Sequence, residues 1–425
     1  MARPRNGSRP VYVWTWLPGA TEPVVAGVLV EAGDIVTFTY GRSYLRREDA
    51  LPLYLPELPL QAGTQTPQAG PIAGVIDDAA PDAWGMRVIL AKLVGRGADD
   101  VTQLSRLTYL LQSGSDRIGN LDFQGSAETY VPRGGEPATL DQLVRAAQLI
   151  EEGQPLPPEL DQALMHGSSI GGARPKATLA DGKRSLIAKF SSATDSYPVV
   201  RGEFLAMALA RKAGLNVANV DLTQSMGRQV LLVERFDRSG DGTRRAMVSA
   251  LTVLSLSETT ALFASSYALL ADEIRRRFTD SKETLRELFE RIVFNVLIGN
   301  TDDHPRNHSA FWDGASEQLT LTPAYDLTPI LRRTGEASQL MAIGRDGWRS
   351  SLLAGCIERS GIYHLREEEA REIVDRQIAA ITKNWLDTCE QAELSTNDRR
   401  VLAGAAVFNP SVFTGYGDPV SLPDR

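Results

Sequence analysis

The chain has 425 residues, 43% hydrophobic and 23% charged, with 45 Lys and Arg against 53 Asp and Glu for a net charge of -8. That length exceeds a single core at roughly 100–200 residues per domain, and the composition excludes a disordered chain. The acidic balance argues against a chain that is itself a major nucleic-acid surface, because phosphate contacts need clustered Lys and Arg. Cys356 and Cys389 lie far apart with no CxxC spacing, which disfavours a disulfide scaffold or a cysteine zinc site. The basic start runs into Val11-Tyr-Val-Trp-Thr-Trp16 rather than an apolar signal core, and no run approaches the ~18 apolar residues of a membrane span. A soluble, cytoplasmic, multi-domain protein without a membrane partner is expected.

In chain order, Val11–Leu17, Val24–Leu29 and Ile35–Tyr40 read as strands, being β-branched and aromatic between Pro-Gly, Ala-Gly-Asp and Gly-Arg breaks. A Pro/Gly/Gln stretch over 61–71 is a loop. Helices are predicted over 81–94, 102–111 and 139–151, the last closed by Gly153 and the cluster Pro155, Pro157 and Pro158, a candidate domain boundary. After a small-residue loop over 166–176, the strands 176–180 and 184–190 flank Asp181-Gly182, a strong hairpin signal. A helix over 201–213 stops at Gly214, and 219–225 with 229–236 form a second hairpin. The clearest helix starts near Asp280, with Glu283 placed for a capping box. Its apolar stripe is Leu285, Leu288, Phe289, Ile292, Val293, Val296 and Leu297, and it ends at Gly299-Asn300. A hairpin over 309–312 and 318–322 follows, and the last part is mostly helical, as over 367–386.

The loop Thr301-Asp-Asp-His-Pro-Arg-Asn307 places Asp302 five residues before Asn307, directly after a buried helix, and Asp326 follows nineteen residues past Asn307. Phosphoryl transfer in protein kinases uses such a set: one Asp to accept the hydroxyl proton, an Asn and a second Asp to hold Mg²⁺. Mg²⁺ takes hard oxygen ligands, usually one or two carboxylates with phosphate oxygens. Alone, this spacing also fits a polar surface loop with Asx turns. Upstream, Gly167–Ala173 could bring backbone N–H groups to phosphates, although it is neither a Walker motif nor GxGxxG, and an ordinary turn would look the same. Lys189 is a cation in an apolar strand and needs an acid, a phosphate or an edge position from which to reach water. Glu203 is the nearest candidate to pair with it. Backbone groups of Glu234 and Phe236, at the end of a strand, could meet an adenine or simply belong to the core. The two histidines nearby, His304 and His308, have only carboxylates for company, which disfavours zinc. What joins these signals is their linear order, which is that of a protein-kinase core.

Several stretches resemble the HipA-like serine/threonine kinases, the toxin halves of bacterial toxin–antitoxin pairs. They are Ser169-Ile-Gly-Gly-Ala-Arg-Pro-Lys176, Ile187-Ala-Lys-Phe190, Val233-Glu-Arg-Phe-Asp-Arg238, Gly299-Asn-Thr-Asp-Asp-His-Pro-Arg-Asn-His-Ser309 and Tyr325-Asp-Leu327, with Asp77–Gly85 and Gly114–Gly119 upstream. The resemblance spans roughly 10–390. It departs at Arg174 and Pro175, where some members have Gln and Glu, and at Asp303, where some have Gly. It implies an α+β, protein-kinase-like bilobal fold with a mixed β-rich and helical N-terminal region and an all-helical C-terminal lobe. The expected parts are an N-terminal subdomain (1–155), a nucleotide-binding part (156–240) and a C-terminal lobe (241–425). Asp302 would be the catalytic base, Asn307 and Asp326 the Mg²⁺ ligands, Lys189 the phosphate contact, and His304 a brace for the loop. ATP would lie against Ser168, Ser169, Ile170, Gly171, Gly172 and Ala173, with Glu234 and Phe236 at the hinge, and Ser169 would be autophosphorylated. Also implied are a protein substrate in translation, such as an aminoacyl-tRNA synthetase, and a HipB-like helix-turn-helix antitoxin through which operator DNA is met. The alternatives are a small-molecule phosphotransferase of aminoglycoside type and a catalytically silent corepressor that binds the antitoxin.

Overall fold

A computed structural model of the chain describes residues 9–93, 104–134, 138–154, 157, 160, 174–192, 195–332 and 335–423. The chain divides into two compact units, Met1–Ser192 with Thr223–Val248 and Phe311–Gln318, and Ala193–Leu222 with Ser249–Ala310 and Leu319–Arg425.

The first unit opens with β1 (Val11–Thr15), β2 (Val24–Ala32), β3 (Ile35–Tyr40), β4 (Thr64–Gln65) and β5 (Leu121–Gln124), in the sheet order β4-β3-β2-β1-β5. β2 and β3 pair from Gly27↔Tyr40 to Ala32↔Ile35, so Gly33 and Asp34 form a two-residue turn, with Gly33 at φ +68°. Turns of this length in hairpins need positive φ, which glycine adopts without a Cβ penalty. β5 was not expected. It pairs antiparallel with β1, Tyr12↔Gln124 to Thr15↔Leu121, over about a hundred residues of intervening sequence.

A second sheet runs β6 (Lys176–Asp181), β7 (Arg184–Phe190), β9 (Arg228–Glu234), β8 (Val220–Ser225). The predicted hairpin turns at Gly182, φ +59°. Side chains alternate across a strand, so Ala177, Ala188, Phe190 and Val230 share one face. They pack there with Trp84 and Val88 of helix α1 (Ala83–Leu93) and Leu143, Val144 and Ala147 of α3 (Leu140–Glu151). The Trp84 indole, buried, donates to the Lys176 carbonyl at 3.0 Å. Thr139 and Gln142 close α3 with a reciprocal capping box. Helix α2 (Arg106–Gln112) starts later than the sequence indicates, because Ser105 caps it by accepting from the Thr108 N–H.

The second unit is mostly helical, with α4 (Val199–Lys212), α5 (Tyr267–Arg277), α6 (Ser281–Ile298) and α7 (Glu367–Gln391). Every residue of the predicted stripe on α6 is buried. The capping box is not formed. Asp280 makes no side-chain cap, so Glu283 acts only as an acid near the positive end of the helix dipole. α6 ends at Gly299, φ +74°, where a Cβ would stand 2.7 Å from the Ala406 carbonyl oxygen. α4 packs along α7, with Lys212 and Asp387 paired at 2.6 Å. Three short strands, β10 (Met247–Ser249), β11 (Ser309–Asp313) and β12 (Gln318–Leu321), form a sheet in that order. No described helix is long and apolar enough to cross a membrane.

Candidate active site

The loop after α6 is built on a buried carboxylate. Asp303 is 1% exposed, and its Oδ2 accepts from Asn295 Nδ2 of α6 at 2.8 Å, from His308 Nε2 at 2.7 Å and from the Tyr267 hydroxyl of α5. Asn300 Nδ2 extends the network to Asn295 Oδ1 at 3.0 Å. Burial alone would raise the Asp303 carboxyl, but the pairing with His308 and the bond from Tyr267 outweigh it and hold it below its ordinary value. The next-door carboxyl behaves oppositely. Asp302 is exposed and makes no side-chain hydrogen bond among the described residues. Partial burial raises its pKa, His304 opposes the rise, and Asp326 and Asp303 reinforce it. A one-turn 3-10 helix, Pro305–Asn307, then carries the buried Asn307, whose N–H bonds to the His304 carbonyl at 2.8 Å. His304 acts on the charges of Asp302 and Asp303, while the imidazole hydrogen-bonded inside the loop is that of His308.

Tyr325 brings the last carboxylate to this loop. Its hydroxyl donates to the Arg306 carbonyl at 2.6 Å and meets Ser309 Oγ at 2.6 Å. Asp326 follows at φ +61°, a left-handed conformation that Asp tolerates better than most residues. Its charge is felt at Asp302. Asp302, Asn307 and Asp326 thus belong to one unit, on two segments fastened by a tyrosine. Asn307 offers a neutral amide oxygen and Asp326 a carboxylate, oxygen donors of the type Mg²⁺ accepts beside waters and phosphate oxygens.

Lys189, Glu234 and Phe236 belong to the first unit. Lys189 is half-buried on β7, an interior strand, so the edge-position explanation fails. It stands directly opposite Lys176, which is 7% exposed, on the face away from Trp84 and α3. Glu203 is buried on α4, in the other unit. Glu234 ends β9 opposite Leu186, and the Phe236 ring meets Phe311 edge-on at 5.9 Å. The alternate residues fix that segment. Asp237 accepts from Arg235 at 2.8 and 2.9 Å, from Arg238 at 2.9 Å and from the Gly119 N–H at 2.7 Å. Asp116 takes further bonds from Arg235 and Arg238 at 2.8 and 3.3 Å. Ser168, Ser169, Ile170, Gly171, Gly172, Ala173, Pro155 and Pro158 lie outside the described residues.

Comparison with known proteins decides the family. The HipA-like C-terminal domain matches residues 168–385, half of the chain, and the HipA N-terminal domain matches 20–124. The chain belongs to the HipA-like family. A Sinorhizobium fredii relative named "Putative kinase Y4mE" is 28% identical over 357 residues, 75% of this chain and 80% of its own. The "Serine/threonine-protein kinase toxin HipA" of Shewanella oneidensis is 27% identical over 264 residues, 53% of this chain and 60% of its own. A chain in the solved complex of Shewanella oneidensis HipA, HipB and operator DNA superposes with a TM-score of 0.67 at 21% identity, covering 89% of this chain and 94% of that one. The expected α+β, protein-kinase-like fold therefore stands.

In this HipA-like chain, sequence reasoning passed over Tyr267 and Asn295, weighed His308 only as a zinc ligand, and noted Asp303 only as a departure. A signal was present. Asn295 interrupts the apolar stripe of α6, and Asp303 precedes His308 by the same interval as Asp302 precedes Asn307.

Proposed function

We propose that this chain is an ATP- and Mg²⁺-dependent serine/threonine protein kinase acting as the toxin of a toxin–antitoxin pair. The observation that carries the reading is the loop after α6, where Asp302 is presented unpaired beside Asn307 and the tethered Asp326. Asp302 accepts the proton of the acceptor hydroxyl. Its raised pKa moves it toward the range in which a carboxylate serves as general base. Asn307 and Asp326 hold the ion that screens the phosphate oxygens, and Lys189 contacts the phosphates. Glu234 and Phe236 offer backbone groups to the adenine, on a segment stiffened by Arg235, Asp237 and Arg238. Residues 1–155 complete the N-terminal lobe, 156–240 bind the nucleotide, and 241–425 carry catalysis.

The partners follow from the family and from the relatives' names. A helix-turn-helix antitoxin binds the chain and brings it to operator DNA, and the substrate is a translation component such as an aminoacyl-tRNA synthetase. Ser169 is phosphorylated by the chain itself. A phosphate there adds about -1.5 to -2 charges in the small-residue loop and closes it to ATP. Peptide mass spectrometry after incubation with Mg²⁺ and ATP tests both points. Phosphate on Ser169 in the wild type and none in Asp302→Asn is the expected result. An unmodified chain that also transfers nothing to a translation extract refutes the reading.

A further inference from the structure

Two residue pairs in the loop share one spacing, a step apart: Asp302 with Asn307, and Asp303 with His308. The first pair holds the groups assigned to proton transfer and the metal. The second is buried, at 1% and 3% exposure, and bonded at 2.7 Å. Each buried member is the chain neighbour of a functional one. Where Asp303 turns into the protein, Asp302 is left at the surface. Where His308 is tied down, the short helix carrying Asn307 ends.

We propose that Asp303 and His308 are positioning residues, whose bond sets the separation and direction of Asp302 and Asn307 for phosphoryl transfer. The inference rests on the roles given above to Asp302 and Asn307. The tie is anchored outside the loop. Tyr267 comes from α5 and Asn295 from α6, so the carboxylate is fixed against two helices as well as against its loop partner. All three donors converge on one oxygen, Oδ2. Loss of one leaves two, whereas loss of the carboxylate leaves three buried donors unpaired. The Tyr267 ring also stands edge-on to the His308 ring at 5.7 Å, which restricts how the imidazole can turn. Neither Asp303 nor His308 is placed to touch reacting atoms. Their effect is on geometry, where an error of about 1 Å can cost roughly a hundredfold in rate.

Two measurements on the full chain separate positioning from mere stability. The first is amide hydrogen exchange of the segment 301–308, with α7 as an internal control. The second is the initial rate of phosphate incorporation into the chain per folded molecule, at varied ATP. For His308→Ala we expect exchange of 301–308 to quicken by roughly tenfold or more while α7 is unchanged. The turnover rate should fall by roughly tenfold to a hundredfold with KM for ATP within about twofold. His308→Gln, which keeps a donor, should recover most of both. Should His308→Ala fail to fold, Tyr267→Phe removes one hydroxyl and should show the same pattern at smaller size. Wild-type exchange and wild-type turnover in the folded variants would overturn the proposal. A wild-type chain that transfers no phosphate, with exchange still quickened in His308→Ala, would remove the kinase reading and leave the anchoring of the loop established.

Discussion

The segment around Asp237 in the first unit and the loop around Asp302 in the second are both rich in charge, and they are balanced in opposite ways. Asp237 lies between Arg235 and Arg238 and takes a backbone N–H as well. Burial would raise it, but the two arginines outweigh that and hold it far below the ordinary carboxylate range. Asp122 nearby follows the same rule. Against the cost of burial, Arg117 and Arg133 bring it down to about 2. Asp302 goes the other way: partial burial raises it, His304 opposes the rise without bonding to it, and Asp326 and Asp303 reinforce it. A carboxylate whose cation is built into the fold is spoken for by the fold. One left among like charges is available to a ligand that brings positive charge or a proton.

The comparison can be broken most sharply at the metal ligands. Asp326→Asn removes a carboxylate from the proposed ion site. It should weaken Mg²⁺-ATP binding by at least roughly tenfold to a hundredfold, with partial recovery as Mg²⁺ is raised. Calorimetric titration of Mg²⁺-ATP reads this directly, and unchanged affinity would remove Asp326 from the site. On the other side, Asp237→Ala removes the carboxylate shared by two buried guanidinium groups, leaving them Asp116 and backbone carbonyls. It should cost about 3–5 kcal/mol in denaturant unfolding, as breaking one partner out of a buried ion pair does. A loss near zero would mean that the cluster is not a structural lock.

Glu57 sharpens the rule, because it has hydrogen bonds but no cation. It is 5% exposed, and its two oxygens accept from the Gly74 and Val75 N–H groups at 2.9 Å each. Burial raises its pKa to about 7, against those two bonds and with help from Asp78 and Asp77. A raised folded-state value means the native state holds the proton more tightly. The stability tied to that proton is complete below the ordinary value of 4.5 and is lost as pH rises through about 7. The loss is on the order of 3 kcal/mol. The unfolding free energy of the wild type should therefore fall by that amount relative to that of Glu57→Gln between mildly acidic and mildly alkaline pH. Parallel curves would contradict the assignment.

How much of this was legible depends on how local each cause is. The β6–β7 hairpin could be read because Asp181-Gly182 dictates a turn within its own few residues, and α6 because its stripe repeats at helical spacing. β5 could not, since Leu121–Gln124 gains its partner from β1 at the other end of the first unit. Asp280 and Glu283 carried the right letters for a capping box, yet Asp280 sits at φ -114°, ψ 67° and makes no side-chain cap. Asp302, Asn307 and Asp326 were singled out because kinase chemistry prescribes residue types at spacings. Asp303 was read as a departure from family pattern, because nothing in a sequence shows that Tyr267 and Asn295 converge on one oxygen. Lys189 was located, but that β7 is interior, and Lys176 its cross-strand neighbour, follows only from the sheet order.

The central claim is that Asp302 is the proton acceptor of a phosphoryl transfer whose nucleotide is held by other residues. The most direct test measures, on one preparation each of wild type and Asp302→Asn, both Mg²⁺-ATP affinity and phosphate transfer to the chain. The account predicts transfer lowered by roughly a thousandfold or more, within the range that loss of a general base commonly costs, with ATP affinity changed by no more than a few-fold. Near-normal transfer by Asp302→Asn would contradict it.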